Sequence, residues 1–111
     1  MGGQMRQIAV IIWMLFFVHT AFSQASKTTT SVDSATYQLW LQQDWDALIE
    51  TGNDALENGF DFYYLRYRLG IAYYQQQNYH RAAKHFKNAF DMNDDDDRLK
   101  EYLYYSYLLA G

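Results

Sequence analysis

The 111-residue chain contains no cysteine, which excludes disulfides, thiolate metal sites and a lipidated cysteine anchor. That absence suits an oxidising compartment without requiring one. Positive charge is also scarce. Nine lysines and arginines stand against thirteen acidic residues, a net charge of −4, and no basic stripe runs along the chain to neutralise phosphates. Nucleic-acid binding is therefore not expected. Catalytic patterns are missing in the same way. There is no glycine-rich phosphate loop, and no serine or threonine comes with a recognisable base and orienting acid. The carboxylates fall on faces that should be exposed, whereas glycoside hydrolysis needs a pair in one cleft. His80 and His85 are five apart, which on a helix turns them away from a common metal ion. No enzyme, cofactor or metal is expected.

What the chain does have is apolar and aromatic substance. Half of its residues are apolar, 19% are aromatic and eleven are tyrosine. Such a chain can bury a core, and its length makes one small domain. Tyrosine joins a large apolar body to a polar tip, which serves helix seams and binding faces alike.

Residues 1–23 read as a secretory signal. Arg6 gives a positive start, Ile8–Val18 is an unbroken apolar run, and Ala21-Phe22-Ser23 has the small-x-small form of a cleavage site. The run would span ~16 Å as a helix, against a hydrocarbon core of roughly 30 Å. Cleavage before Gln24 is thus favoured over a membrane anchor, with no stable span left afterwards. The expected location is across the inner membrane, in the periplasm or cell envelope, and the sequence does not separate periplasm from outside. Residues 24–33 form a polar lead.

From residue 34 onward the apolar residues recur at helical spacing. Within 63–77 they are Leu65, Leu69, Ala72 and Tyr73; after a polar turn at Gln75–Asn78 come Tyr79, Ala82, Ala83, Phe86, Ala89 and Phe90. So short a connection makes the two helices antiparallel neighbours. A glycine inside a helix costs roughly 1 kcal/mol relative to alanine, so Gly70 calls for a packing reason. Small residues at Gly70 and Ala82 would let the backbones approach, with Tyr73 and Phe86 filling the space beside them. Upstream, a helix over about 34–42 is expected, capped by Asp33 or Ser34, then a turn at Gln43-Asp44 and a helix from Trp45 to Asn58. Gly59 suits the left-handed residue that ends it. Gly52 either makes room for the next hairpin or weakens its own helix. Downstream, an acidic loop at 93–97 leads into a last helix from about Arg98. The loop fails as a calcium site: aligned from Asp91, Asp96 replaces the required glycine and Tyr102 the bidentate glutamate. Its carboxylates are expected to favour the N-terminus of the last helix instead.

Leu69-Gly70, Tyr73, Tyr79, Ala82, Phe86 and Ala89 together resemble the tetratricopeptide repeat, a 34-residue helix–turn–helix unit. The landmarks recur on both flanks. Leu69 and Tyr73 map forward to Leu103 and Tyr107; Tyr79, Ala82 and Ala89 map back to Trp45, Leu48 and Ala55. The chain departs from the family at Arg66, where tryptophan is frequent, and at Asp94, where proline is. Phe86 maps back to Gly52, so the upstream unit is degenerate. The expected fold is all-α, a solenoid of about five helices: a degenerate unit at 34–60, the best unit at 63–96 and a half unit at 97–111.

The resemblance implies which positions face the concave groove: Tyr64, Tyr67, Ile71, Tyr74 and Gln75, with Tyr37, Trp40 and Leu41 upstream and Glu101, Tyr105 and Leu108 downstream. These form the rows Tyr37–Ile71–Tyr105 and Trp40–Tyr74–Leu108. Their rings either anchor a partner or pack helix on helix. Arg66 and Arg68 either hold a partner's carboxylate or pair with Asp61 or Glu57. The last helix carries Tyr104, Tyr105, Tyr107, Leu108 and Leu109 around most of its circumference, which implies self-association or further repeats packed on 98–110. The expected function is a non-enzymatic adaptor or scaffold that binds a protein or peptide. The alternative is an N-terminal structural fragment of a larger envelope or outer-membrane repeat protein.

Overall fold

The computed structural model describes residues 26–111; the signal, its cleavage site and the first two residues of the polar lead lie outside them. Five helices follow one another: α1 (Thr29–Leu41), α2 (Trp45–Glu57), α3 (Tyr63–Gln75), α4 (Tyr79–Met92) and α5 (Asp97–Ala110). No strand occurs among the described residues. Each helix packs on the next, and α1 also reaches α3.

The helix starts are periodic. α1, α3 and α5 begin at 29, 63 and 97, and α2 and α4 at 45 and 79, each a step of 34. The turns repeat as well. Gln43 and Gln77, one such step apart, both adopt left-handed φ angles of 55° and 61°, and Asp44 and Asn78 after them cap α2 and α4 by accepting amides of Ala47 and Arg81. Gly59 ends the hairpin between α2 and α3 at φ 88°, as expected for a residue free of the Cβ penalty.

One boundary differs from the sequence reading. The first helix begins five residues before position 34, so Thr29–Asp33 of the polar lead is helical. The cap is Thr28 rather than Asp33 or Ser34. Thr28 and Ser31 bond each other's backbone amides reciprocally, and this capping box supplies the start. Asp33 is occupied elsewhere, as the partner of Arg68.

Two core clusters hold the helices. One joins Val32, Leu48, Ala55, Leu65, Leu69 and Ala72; the other joins Ile71, Tyr73, Ala82, Phe86, Ala89 and Leu99. Trp40, Trp45 and Ile49 border both, and so link them. The two mid-helix glycines are explained by close approach. A Cβ on Gly70 would sit 2.5 Å from the Phe86 ring, and one on Gly52 would sit 2.6 Å from a Leu69 methyl. The neighbour over Gly70 is therefore the ring of Phe86 itself, which fills the glycine's space rather than the space beside it. Gly52 makes room for the following helix.

Candidate functional site

The face shared by α1, α3 and α5 carries a cleft of about 610 Å³ whose walls include Tyr37, Trp40, Tyr64, Tyr67, Ile71 and Tyr102. Five of these six belong to the set implied for the concave groove. Tyr74, Glu101 and Tyr105 line an adjoining recess of about 390 Å³, and Leu41 and Gln75, with Trp40 and Ile71, a third of about 350 Å³. Leu108 is exposed but lines none of the three.

The rows are uneven in what they present. Tyr37 and Tyr64 stand out from the surface, whereas Ile71, 5% exposed, is sunk into the second core and forms a floor between its neighbours. Tyr67 is half-buried; burial first, and then the nearby Asp96 carboxylate, push its phenol up to about 12, so its hydroxyl stays protonated. Tyr63 moves in the same direction for the same two reasons, and its hydroxyl donates to Asp96 at 3.2 Å. Tyr74 too is raised, chiefly by burial, and meets Tyr79 and Tyr102 edge-on at 5.2 and 5.3 Å.

Tyr102 is the aromatic residue of the cleft that the sequence reading did not place in the groove, and Asp96, Asp97 and Arg98 also line it. Its ring stacks on Phe86 at 5.2 Å and meets Tyr67 and Tyr74 edge-on, tying α5 to α3 and α4. The signal was available in the period. Arg68 holds the equivalent position one repeat earlier and reaches back in the same sense, from α3 to α1.

No protein-family model matches the chain. The curated proteins and the solved structures also yield no match.

Arg66 and Arg68 do not form a joint clamp, because two positions apart on a helix they point to different neighbours. Arg68 donates to the Asp33 carboxylate at 2.5 Å, to the Asp33 carbonyl at 3.1 Å and to Thr36 Oγ1 at 3.1 Å, and its guanidinium lies over the rings of Tyr37 and Tyr64. It fastens α1 to α3. Arg66 forks onto Asp61 at 2.7 and 2.8 Å, and its hydrogen bond and charge hold that carboxyl below its ordinary value. Its other nitrogen donates to His85 Nδ1 at 3.2 Å. His85 is buried and stacked on Tyr73 at 5.4 Å; desolvation, helped by the Arg66 charge, pushes it down to about 4. The imidazole is neutral at pH 7, accepting through Nδ1. His80 is exposed, so the two histidines are separated in environment as well as in direction.

Leu69, Ala82, Phe86 and Ala89 are fully buried, Gly70 is covered by the Phe86 ring, Tyr73 is buried with its hydroxyl accepting from Asn53 at 2.9 Å, and Tyr79 is partly covered. Asp96 caps α5 by accepting the amides of Arg98 and Leu99, while Asn93 accepts the amide of Asp95. The acidic loop thus does helix-capping work.

The outward face of α5 is bare. Tyr104, Tyr107 and Leu108 are 62%, 54% and 60% exposed. Tyr104 and Tyr107 are the counterparts, one repeat later, of Gly70 and Tyr73, both of which α4 covers on α3.

Proposed function

We propose that this chain is a non-enzymatic protein-interaction module of tetratricopeptide type, exported to the bacterial envelope, that binds a peptide or protein along the groove of α1, α3 and α5. The observation that carries the proposal is the constant 34-residue step of the helix starts, together with the cleft to which three alternate helices contribute aromatic residues. Stacked hairpins of one period form a solenoid whose inner face is lined by the first helix of each unit. Export rests on the N-terminal sequence pattern, with cleavage before Gln24; no helix among the described residues is long and apolar enough to cross a membrane.

The test is capture of partners from cell envelopes by the wild-type chain and by a Tyr37→Ala, Tyr64→Ala variant. Both rings are exposed and lie against Arg68 at the edge of the fold, so the variant gives up about 1–2 kcal/mol of stability, stays folded and loses its partners. An unchanged set of captured proteins refutes the groove. Intact-mass measurement of the chain recovered from the envelope tests cleavage: a chain beginning at Met1 overturns it and leaves the signal as an anchor.

The bare side of α5 favours a second reading, in which the module is a scaffold segment and a further helix, from more repeats or another chain, covers Tyr104, Tyr107 and Leu108. In that case alanine at Tyr37 and Tyr64 is silent, and charge introduced by Leu108→Lys breaks the assembly.

A further inference from the structure

The side of α3 that carries Gly70 and Tyr73 is covered by α4: the Phe86 ring lies 2.5 Å from where a Cβ on Gly70 would sit, and His85 stacks on Tyr73. The same side of α5 carries Tyr104 and Tyr107, and among the described residues no helix lies over them. The bare face continues onto α4. Lys87 stands over the Phe90 ring at 5.8 Å and interacts through its charge with Tyr107.

A helix built like α4 does not fit this face. α4 comes close to α3 only because Gly70 has no side chain to hold it off. At the equivalent point α5 presents the Tyr104 ring, 62% exposed. Another hairpin of the same kind would drive its own large residue into that ring. The surface that covers α5 must instead receive aromatic knobs at a wider spacing.

Three features select a second copy of this chain. The charges of α5 lie in its first turns and cancel, Asp97 and Glu101 against Arg98 and Lys100, although the chain as a whole carries −4. Two copies therefore meet there without repulsion. From Tyr102 to Gly111 there is no charged side chain. Two such helices crossed antiparallel, with a twofold axis between Tyr104 and Leu108, bury their uncharged halves together. That crossing carries Lys100 of each to the last turn of the other, which has no basic residue of its own. Thirdly, α1 offers no apolar seat for a head-to-tail contact. Opposite its buried Val32 and Thr36 it exposes Ser31, Ser34 and Gln38, the polar outer face of an end unit. Association through α5 thus closes as an isologous pair.

We propose that two copies of this chain associate through α5, antiparallel about that twofold axis. This rests on the second reading above, in which another helix covers the bare side of α5, and names that helix as α5 of a second copy. The exposed parts of Tyr104, Tyr107 and Leu108, with the stems of Lys87 and Lys100, offer on the order of 600 Å² per copy, the low end of specific interfaces. The dimer is accordingly reversible, forming in the micromolar range.

Analytical ultracentrifugation of the chain recovered from the envelope follows its mass from micromolar to near-millimolar concentration. The mass rises to twice that of one chain and no further. Each interface residue acts twice in an isologous pair, so Tyr104→Glu raises the dissociation constant at least about tenfold, while circular dichroism shows the helices intact. Gln38→Lys, on the exposed side of α1, changes nothing. Because the chain has no cysteine, single cysteines report the crossing: under mild oxidation Leu108→Cys links into dimers and Asp97→Cys does not. A mass beyond two chains, or dissociation caused by Gln38→Lys, reveals head-to-tail contact and overturns the proposal. Equal linking at Asp97 and Leu108 overturns the antiparallel crossing. A chain that stays monomeric overturns the second copy. If Leu108→Lys then removes partners captured from the envelope, a different protein covers α5 and the second reading stands; if the captured set is unchanged, that reading falls as well.

Discussion

Gly70→Ala is the sharpest test of how the central hairpin closes. In an exposed helix this change returns roughly 1 kcal/mol of stability through helix propensity. Here the new methyl would stand 2.5 Å from two carbons of the Phe86 ring and 2.9 Å from a third. The ring has little freedom to retreat: Phe86 is fully buried, stacked on Tyr102 at 5.2 Å and met edge-on by Tyr67 at 6.1 Å. Overpacking of this kind costs about 1–3 kcal/mol, and the locked ring argues for the upper part of that range. The net expectation is a loss of about 1–2 kcal/mol, which for a domain of this size lowers the melting temperature by roughly 5–15 °C. Thermal unfolding followed by far-ultraviolet circular dichroism measures it. A melting temperature that rises refutes the reasoning. The same methyl placed in a Phe86→Ala background occupies vacated space, so its effect reverses sign. Phe86→Ala alone costs about 3–5 kcal/mol, and this comparison is best made in a stabilising osmolyte.

Three further outcomes follow from single side chains. Unfolded histidine binds its proton near pH 6.5, whereas folded His85 does so only near 4. The unfolded state therefore takes up more protons between these values: the His85 contribution is complete above pH 6.5 and is lost as pH falls towards 4, on the order of 3 kcal/mol in all. Urea unfolding at pH 7 and pH 5 measures the slope, and His85→Gln removes most of it. Ser106 is buried with its hydroxyl unpartnered, in the place that the fully buried Ala72 holds one repeat earlier. Ser106→Ala raises stability by about 1 kcal/mol or more, and a lower urea midpoint contradicts the account. Arg68→Lys keeps the charge but not the fork that holds Asp33 and Thr36, at a cost of about 1–2 kcal/mol. Faster hydrogen exchange confined to α1 is the expected signature, and unchanged exchange there refutes the fastening role.

The helices, their antiparallel turns and the positions that pack between them were legible because apolar spacing and a regular recurrence act on the same residues. The start of α1 was hidden. Its cap is a threonine–serine pair in a stretch whose composition reads as a mobile lead, and two reciprocal side-chain bonds outweigh that composition. Five of the ten residues that line the cleft were reached by carrying one helix's face onto its counterparts. Tyr102 escaped because its counterpart is Arg68, so chemically unlike residues fill one geometric role. Arg66 and Arg68 show a different limit. Proximity along the chain suggested a pair, but which neighbour each one meets depends on the helices to either side.

The exchange of large and small residues between the two hairpins has a consequence for how the chain finds its fold. A polypeptide whose helices begin at a fixed interval risks pairing one hairpin's first helix with the other's second. Here such a slip is penalised in both directions. Thr36 occupies in α1 the place that Gly70 occupies in α3, and would collide with Phe86; Gly70 set against Gly52 would leave a hole. The second hairpin is thus keyed to its own mate, and lengthening the array by copying residues 63–96 demands that Gly70 and Phe86 be kept together.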